Sequence, residues 1–145
     1  MDKNFKKSIM LEHYNNPINK GLVVEEGYLK INMNSESCID NLDFMIKIKD
    51  DIIVDARFDG EACVISTSAS SIMNKLIVGK SVDEVLEIIK NYEAMINEDE
   101  YDENLLEEAI IFDEIYKQAN RKKCALLPFS GIKKILMRYK GVKNV

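Results

Sequence analysis

Two stretches that alternate apolar with polar side chains, joined by two aspartates, constrain this chain more than anything else in it. Over residues 42–49, Leu42, Phe44, Ile46 and Ile48 point one way while Asp43, Met45, Lys47 and Lys49 point the other. Over 52–59, Ile52, Val54, Ala56 and Phe58 alternate with Ile53, Asp55, Arg57 and Asp59. A period of two is the signature of a half-buried strand, and Asp50-Asp51 between the runs reads as a short turn. The natural reading is an antiparallel hairpin. Residues 28–33 repeat the pattern, with Leu29, Ile31 and Met33 on one face. Three strands with one apolar face need a cover.

The rest of the chain supplies it in helical periods. Residues 4–14 carry Phe5, Ile9, Met10 and His13 on one side and stop before Asn16-Pro17, where proline excludes its predecessor from the α region. Residues 66–78 form a serine-rich helix with Ala69, Ile72, Met73, Leu76 and Ile77 as its apolar side, closed by Gly79. Ser81-Val82-Asp83-Glu84 has the spacing of a capping box and opens a third helix. Residues 102–118 read as a fourth. A last helix is expected over 128–140, with Pro128 in its first turn and Gly141 beyond its end. Strands followed by helices predict an α+β fold: a small antiparallel three-stranded sheet with helices on one face, residues 1–145 forming a single domain.

A chain of 145 residues, 46% hydrophobic, can build a core without a metal or disulfide to compensate for size. The net charge of −5 argues against nucleic acid as a partner. No apolar run reaches the roughly 20 residues of a membrane span, so the expectation is a cytoplasmic protein with reduced thiols. The lone histidine, His13, reads as a packed side chain, and a Cys-His dyad is not expected.

The cysteines therefore need another explanation. Cys38 lies just ahead of the second strand and Cys63 just after the third. Cys124 is placed in the connector before the last helix, behind Arg121-Lys122-Lys123. All three sit at predicted element ends, and a hairpin brings its two flanks to one edge. Cys63 also precedes a helix N-terminus, whose free amides favour an anionic sulfur. Zinc takes thiolates in tetrahedral sites, and a carboxylate such as Asp40 can complete them. The Cys38-Ile39-Asp40 spacing alone is weaker than paired Cys-x-x-Cys motifs. Plain core packing of the cysteines stands as the alternative.

Ordered motifs go further. His13-Tyr14-Asn15-Asn16-Pro17-Ile18-Asn19-Lys20-Gly21, Cys38-Ile39-Asp40, the run Ile53-Val54-Asp55-Ala56-Arg57-Phe58-Asp59-Gly60-Glu61-Ala62-Cys63 with Val64-Ile65-Ser66-Thr67-Ser68-Ala69-Ser70 after it, and Lys123-Cys124-Ala125-Leu126-Leu127-Pro128 follow one another along nearly the whole chain. In that order they resemble the SufU-type members of the IscU/NifU-like iron–sulfur cluster assembly proteins. Lys123, where the IscU type carries histidine, and the long interval from Cys63 to Cys124 favour the SufU branch.

The resemblance implies one tetrahedral zinc held by Cys38, Asp40, Cys63 and Cys124. It implies a SufS-type, pyridoxal-phosphate-dependent cysteine desulfurase as partner, and further iron–sulfur assembly proteins downstream. The implied activity is that of a zinc-dependent sulfurtransferase, in which a ligand exchange at zinc frees Cys38 to take sulfane sulfur from the desulfurase persulfide. The alternatives are a scaffold for a transient [2Fe–2S] cluster on the same residues, iron replacing zinc, or a purely structural zinc module. Two departures stand out: Ile39 and Ala62 occupy positions where the family has glycine.

Overall fold

The computed structural model describes residues 1–35 and 39–141. Helix α1 (Lys3–Asn15) leads into β1 (Tyr28–Asn34), β2 (Asn41–Lys49) and β3 (Ile52–Glu61). Helices α2 (Val64–Ile77), α3 (Val82–Ile96) and α4 (Ala119–Tyr139) follow. The sheet is antiparallel in the order β1-β2-β3, as the alternation requires. Asp50 and Asp51 turn the hairpin with φ of 53° and 61°, a left-handed pair that aspartate tolerates and the twist of a tight hairpin favours.

One strand departs from its predicted phase. Lys47 pairs with Asp55 and Ile48 with Ile53, so Val54 faces no partner and forms a bulge. The extra residue reverses the alternation before it. Ile53 is fully buried while Val54 is exposed, the opposite of the expectation; from Ala56 and Phe58 onward the predicted phase holds. Met45, expected on the polar face, is also fully buried, because the chain after α1 crosses that face and the Val23 amide meets its sulfur at 3.5 Å.

Helices α2 and α4 cover the apolar face, where Leu42, Phe44, Ile46, Ala56 and Phe58 are all inaccessible to solvent. The free edge of β3 is capped at two points. Gly21 and Asn19 exchange backbone bonds with Phe58, and Gly79 and Lys80 do so with Ile53. Such blunting removes a template for edge-to-edge aggregation. The His13–Gly21 motif is thus largely structural. Ser71 Oγ accepts the Ile18 amide at 2.8 Å and lies 2.7 Å from His13 Nδ1, while Asn19 Nδ2 donates to the Ala56 carbonyl at 3.1 Å. The capping box of α3 is present as predicted.

Two helical expectations are corrected. Residues 102–118 do not form an α-helix but three short 3₁₀ turns, Glu103–Leu105, Glu107–Phe112 and Ile115–Lys117. Leu106, Ala109 and Phe112, all buried, recur every third position, which matches three residues per turn rather than 3.6, and Ile111 is buried beside Phe112. Glu107, at a φ of 46°, interrupts the run. The segment is clasped from outside: Glu108 Oε1 lies 2.8 Å from Lys75 Nζ and 3.1 Å from His13 Nε2, and Lys6 reaches Asp113 at 2.5 Å. The last helix, in turn, begins at Ala119, not at Pro128, and Pro128 is an interior residue. Cys124 consequently lies inside α4 and not in a connector. Among the described residues no helix is long and apolar enough to cross a membrane.

Candidate metal centre

The register of the sheet creates the site. Asn41 pairs with Glu61 at the last rung of the β2–β3 ladder, so Asp40 and Cys63 leave the sheet side by side. Cys63 is the N-cap of α2, its sulfur receiving the Ser66 amide at 3.4 Å. Its own amide donates to Asp40 Oδ1 at 2.8 Å. Asp40 is 1% exposed, a burial that an anionic carboxylate tolerates only with donors or a cation around it. Cys124 comes from the second turn of α4 and is 4% exposed; Cys63 is half-buried.

The ligand atoms of Asp40, Cys63 and Cys124 all lie within 4.8 Å of one another, with Cys63 Sγ 3.9 Å from Asp40 Oδ2. Two thiolates bound to one zinc at about 2.3 Å stand about 3.8 Å apart, so this donor set fits a single tetrahedral ion after a contraction of about 1 Å or less. Three of the four predicted site residues thus converge. The fourth, Cys38, lies outside the described residues. Ile39 is 68% exposed, and Ala62 keeps a negative φ, so alanine in the glycine position carries no backbone strain.

Sequence reasoning missed Ser66. Its side chain is fully buried among the three candidate ligand residues: the hydroxyl donates to Asp40 Oδ2, stands 3.5 Å from Cys63 Sγ and lies 3.1 Å from the Cys124 carbonyl. The signal lies in Cys63-x-x-Ser66, the N-cap-to-N3 spacing. Tyr92 was missed as well. Its hydroxyl, buried at the end of a ring stacked on Phe129 at 3.8 Å, donates to the Ala125 carbonyl at 2.8 Å. Burial alone raises its ionisation well above the usual tyrosine value, so it acts here as a neutral donor.

Beside Cys63 opens a groove of about 820 Å³ with an apolar floor that includes Met10, Ile65 and Phe112, and with Lys7 and Arg121 on its rim. Arg121, three positions before Cys124, lines this groove, while Cys124 itself is buried.

A small α+β fold brings two thiols and a carboxylate together at a helix N-terminus, a donor set that could hold a metal ion. Residues 5–125 match the family model of the NifU-like N terminal domain, and the chain belongs to that family. It is 31% identical over 136 residues to the zinc-dependent sulfurtransferase SufU of Bacillus subtilis, spanning 93% of this chain and 91% of that protein. It is 31% identical over 116 residues to the iron–sulfur cluster assembly scaffold protein IscU of Thermotoga maritima, covering 80% and 78%. A crystal structure described as a scaffold protein for the SUF system from Fervidobacterium islandicum superposes with a TM-score of 0.78 at 30% identity, over 88% of this chain and 93% of that one.

Proposed function

We propose that this protein serves iron–sulfur cluster biogenesis as a zinc-dependent sulfur acceptor and carrier. Cys38, Asp40, Cys63 and Cys124 would hold one zinc ion, whose chemistry is to keep thiolates deprotonated and nucleophilic at neutral pH. The observation that carries the reading is the convergence of Asp40, Cys63 and Cys124 at the end of the β2–β3 hairpin, two positions along the chain from Cys38. The likeness to the Bacillus subtilis sulfurtransferase over nearly the whole of both chains supports it.

The donor is a cysteine desulfurase of the SufS type, which presents sulfur as an enzyme persulfide. The Cys38 thiolate attacks the terminal sulfur. The S–S bond of the donor breaks, a new S–S bond forms on Cys38, and the donor cysteine leaves as a thiolate, so no external oxidant or reductant is needed. Asp40, with two donors already on its oxygens, stays oriented during the transfer, and the groove beside Cys63 gives a donor loop an apolar seat next to the reacting sulfurs.

The test pairs metal analysis with desulfurase turnover. The purified protein is expected to carry about one zinc and to stimulate a SufS-type enzyme, and Cys38→Ser is expected to abolish stimulation. Stimulation that persists without Cys38 overturns the assignment. The second reading, a scaffold for a transient [2Fe–2S] cluster, is favoured by the Thermotoga maritima relative. Anaerobic reconstitution that yields a stable, transferable cluster supports it over the carrier.

A further inference from the structure

The serines of α2 solve burial in two different ways. Ser68 donates to the Val64 carbonyl at 2.7 Å, and Ser70 to the Ser66 carbonyl at 2.7 Å. Returning a hydroxyl to the carbonyl one turn back is the default for a serine inside a helix. Ser66 does not do this. Its hydroxyl leaves the helix and sits between Asp40 Oδ2 and the Cys124 carbonyl oxygen.

The second contact has a cause in α4. In an α-helix the carbonyl of Cys124 would take the amide of residue 128, and residue 128 is proline, which has none. The proline therefore opens a carbonyl on the very residue whose sulfur faces the site, and the Ser66 hydroxyl fills the place of the missing amide. One hydroxyl carries one hydrogen, and here two acceptors from two different elements share it. The Ser66 amide binds Cys63 Sγ at 3.4 Å, so the same residue also touches the third ligand.

We propose that Ser66 is a positioning residue of the metal centre, tying the loop of Asp40, the N-cap of α2 and the second turn of α4 into one fixed arrangement of donor atoms. The proposal rests on the zinc reading given above, but not on sulfur transfer. Three ligands come from three separate elements, and nothing in the covalent chain fixes the distance between Cys124 and Asp40. A shared hydroxyl does. Hydrogen-bond partners behind metal ligands typically govern affinity by about 10- to 100-fold.

The experiment compares Ser66→Ala with Ser70→Ala, the same truncation one turn further along the same buried face. Alanine is the smaller side chain and the better helix former, so α2 keeps its fold in both. Zinc affinity is measured by competition with a chromophoric chelator, and the ligand field by absorption of the cobalt(II)-substituted protein. Ser66→Ala is expected to weaken zinc by about 10- to 100-fold and to shift the cobalt bands. Ser70→Ala is expected to change neither, and Ser66→Thr, which keeps the hydroxyl, to recover most of the affinity. Wild-type affinity and an unchanged cobalt spectrum in Ser66→Ala overturn the proposal, and so does an equal loss in Ser70→Ala. Wild-type protein that binds no zinc refutes the metal reading itself, a different result from either of these.

Discussion

Asp40→Asn separates what the metal centre needs from what the fold prefers. Asp40 is 1% exposed, and burying an ionised carboxylate costs several kcal/mol even after relaxation, of which charge-assisted hydrogen bonds return only a part. Asparagine has the same shape. Its amide oxygen can keep the Cys63 N–H at 2.8 Å, and its amide nitrogen can donate to Ser66 Oγ. Ser66 then turns its hydrogen to the Cys124 carbonyl, already 3.1 Å away. Both of these bonds survive in altered form, while the buried charge disappears. The metal-free variant is therefore expected to be more stable than the metal-free parent by about 1–2 kcal/mol, within the range seen when buried charges are replaced by neutral groups of similar volume.

With zinc the order reverses. The asparagine side chain is a poor replacement for a carboxylate ligand, and losing a ligand costs at least the roughly 100-fold that the loss of a ligand's outer partner can cost. At equal free zinc a 100-fold weaker site forfeits about 2.7 kcal/mol of ligand-induced stabilisation. The assay is urea denaturation of both proteins, metal-free and at a fixed excess of zinc. The expected result is a crossing: the variant ahead without zinc and behind by about 1 kcal/mol with it. A metal-free variant less stable than the parent, or equal stabilisation of both by zinc, refutes the reasoning.

Three further substitutions probe the supports of the site. Tyr92→Phe keeps the ring stacked on Phe129 but removes the donor to the Ala125 carbonyl; a loss of about 1–2 kcal/mol is expected in thermal or urea unfolding, and a loss under about 0.5 kcal/mol contradicts it. Glu108 is pushed upward by burial, but the hydrogen bonds from Lys75 and His13 outweigh this and hold it below its ordinary 4.5. A depressed carboxylate contributes its stability in full above that value and loses it as the pH falls through the folded-state value. Glu108→Gln is therefore expected to cost about 0.5 kcal/mol at neutral pH, as a partly exposed pair should, and nothing in strong acid; a pH-independent difference refutes the ion-pair account. Gly60 has a φ of 131°, and a Cβ there would stand 2.2 Å from the backbone oxygen of Asn41. Gly60→Ala is expected to cost about 2–4 kcal/mol and, by moving the neighbour of Asp40, to weaken zinc; unchanged stability contradicts the close approach.

Much of this fold was legible because its patterns are local. The two-residue alternation gave three strands, Asp50-Asp51 gave the turn, and Ser81-Glu84 gave the start of α3. The misreadings came where a local pattern meets a non-local partner. Val54 looks as apolar as Ile53, and only the pairing of Ile48 with Ile53 decides which of them is buried. The 3₁₀ segment carried its signal in the three-residue recurrence of Leu106, Ala109 and Phe112, a period close enough to helical to be taken for it. For the site, Asp40, Cys63 and Cys124 were nameable from type and order, yet their convergence depends on the rung between Asn41 and Glu61.

Pro128 shows why the remainder was hidden. By local rules an interior proline costs about 3 kcal/mol, so the economical reading starts a helix there and leaves Cys124 in a connector. The structure accepts the proline because the carbonyl it strands is met by Ser66 from another helix, and the next carbonyl by Tyr92 from a third. That exchange has a functional consequence. With an amide at residue 128, α4 would satisfy the Cys124 carbonyl internally and need no hydroxyl from the N-terminus of α2 at this point. With the proline, the backbone of Cys124 is bound to the hydroxyl that also holds the Asp40 carboxylate. The apparent defect in α4 is thus the feature that couples Cys124 to Asp40, and it is invisible until both helices are in place.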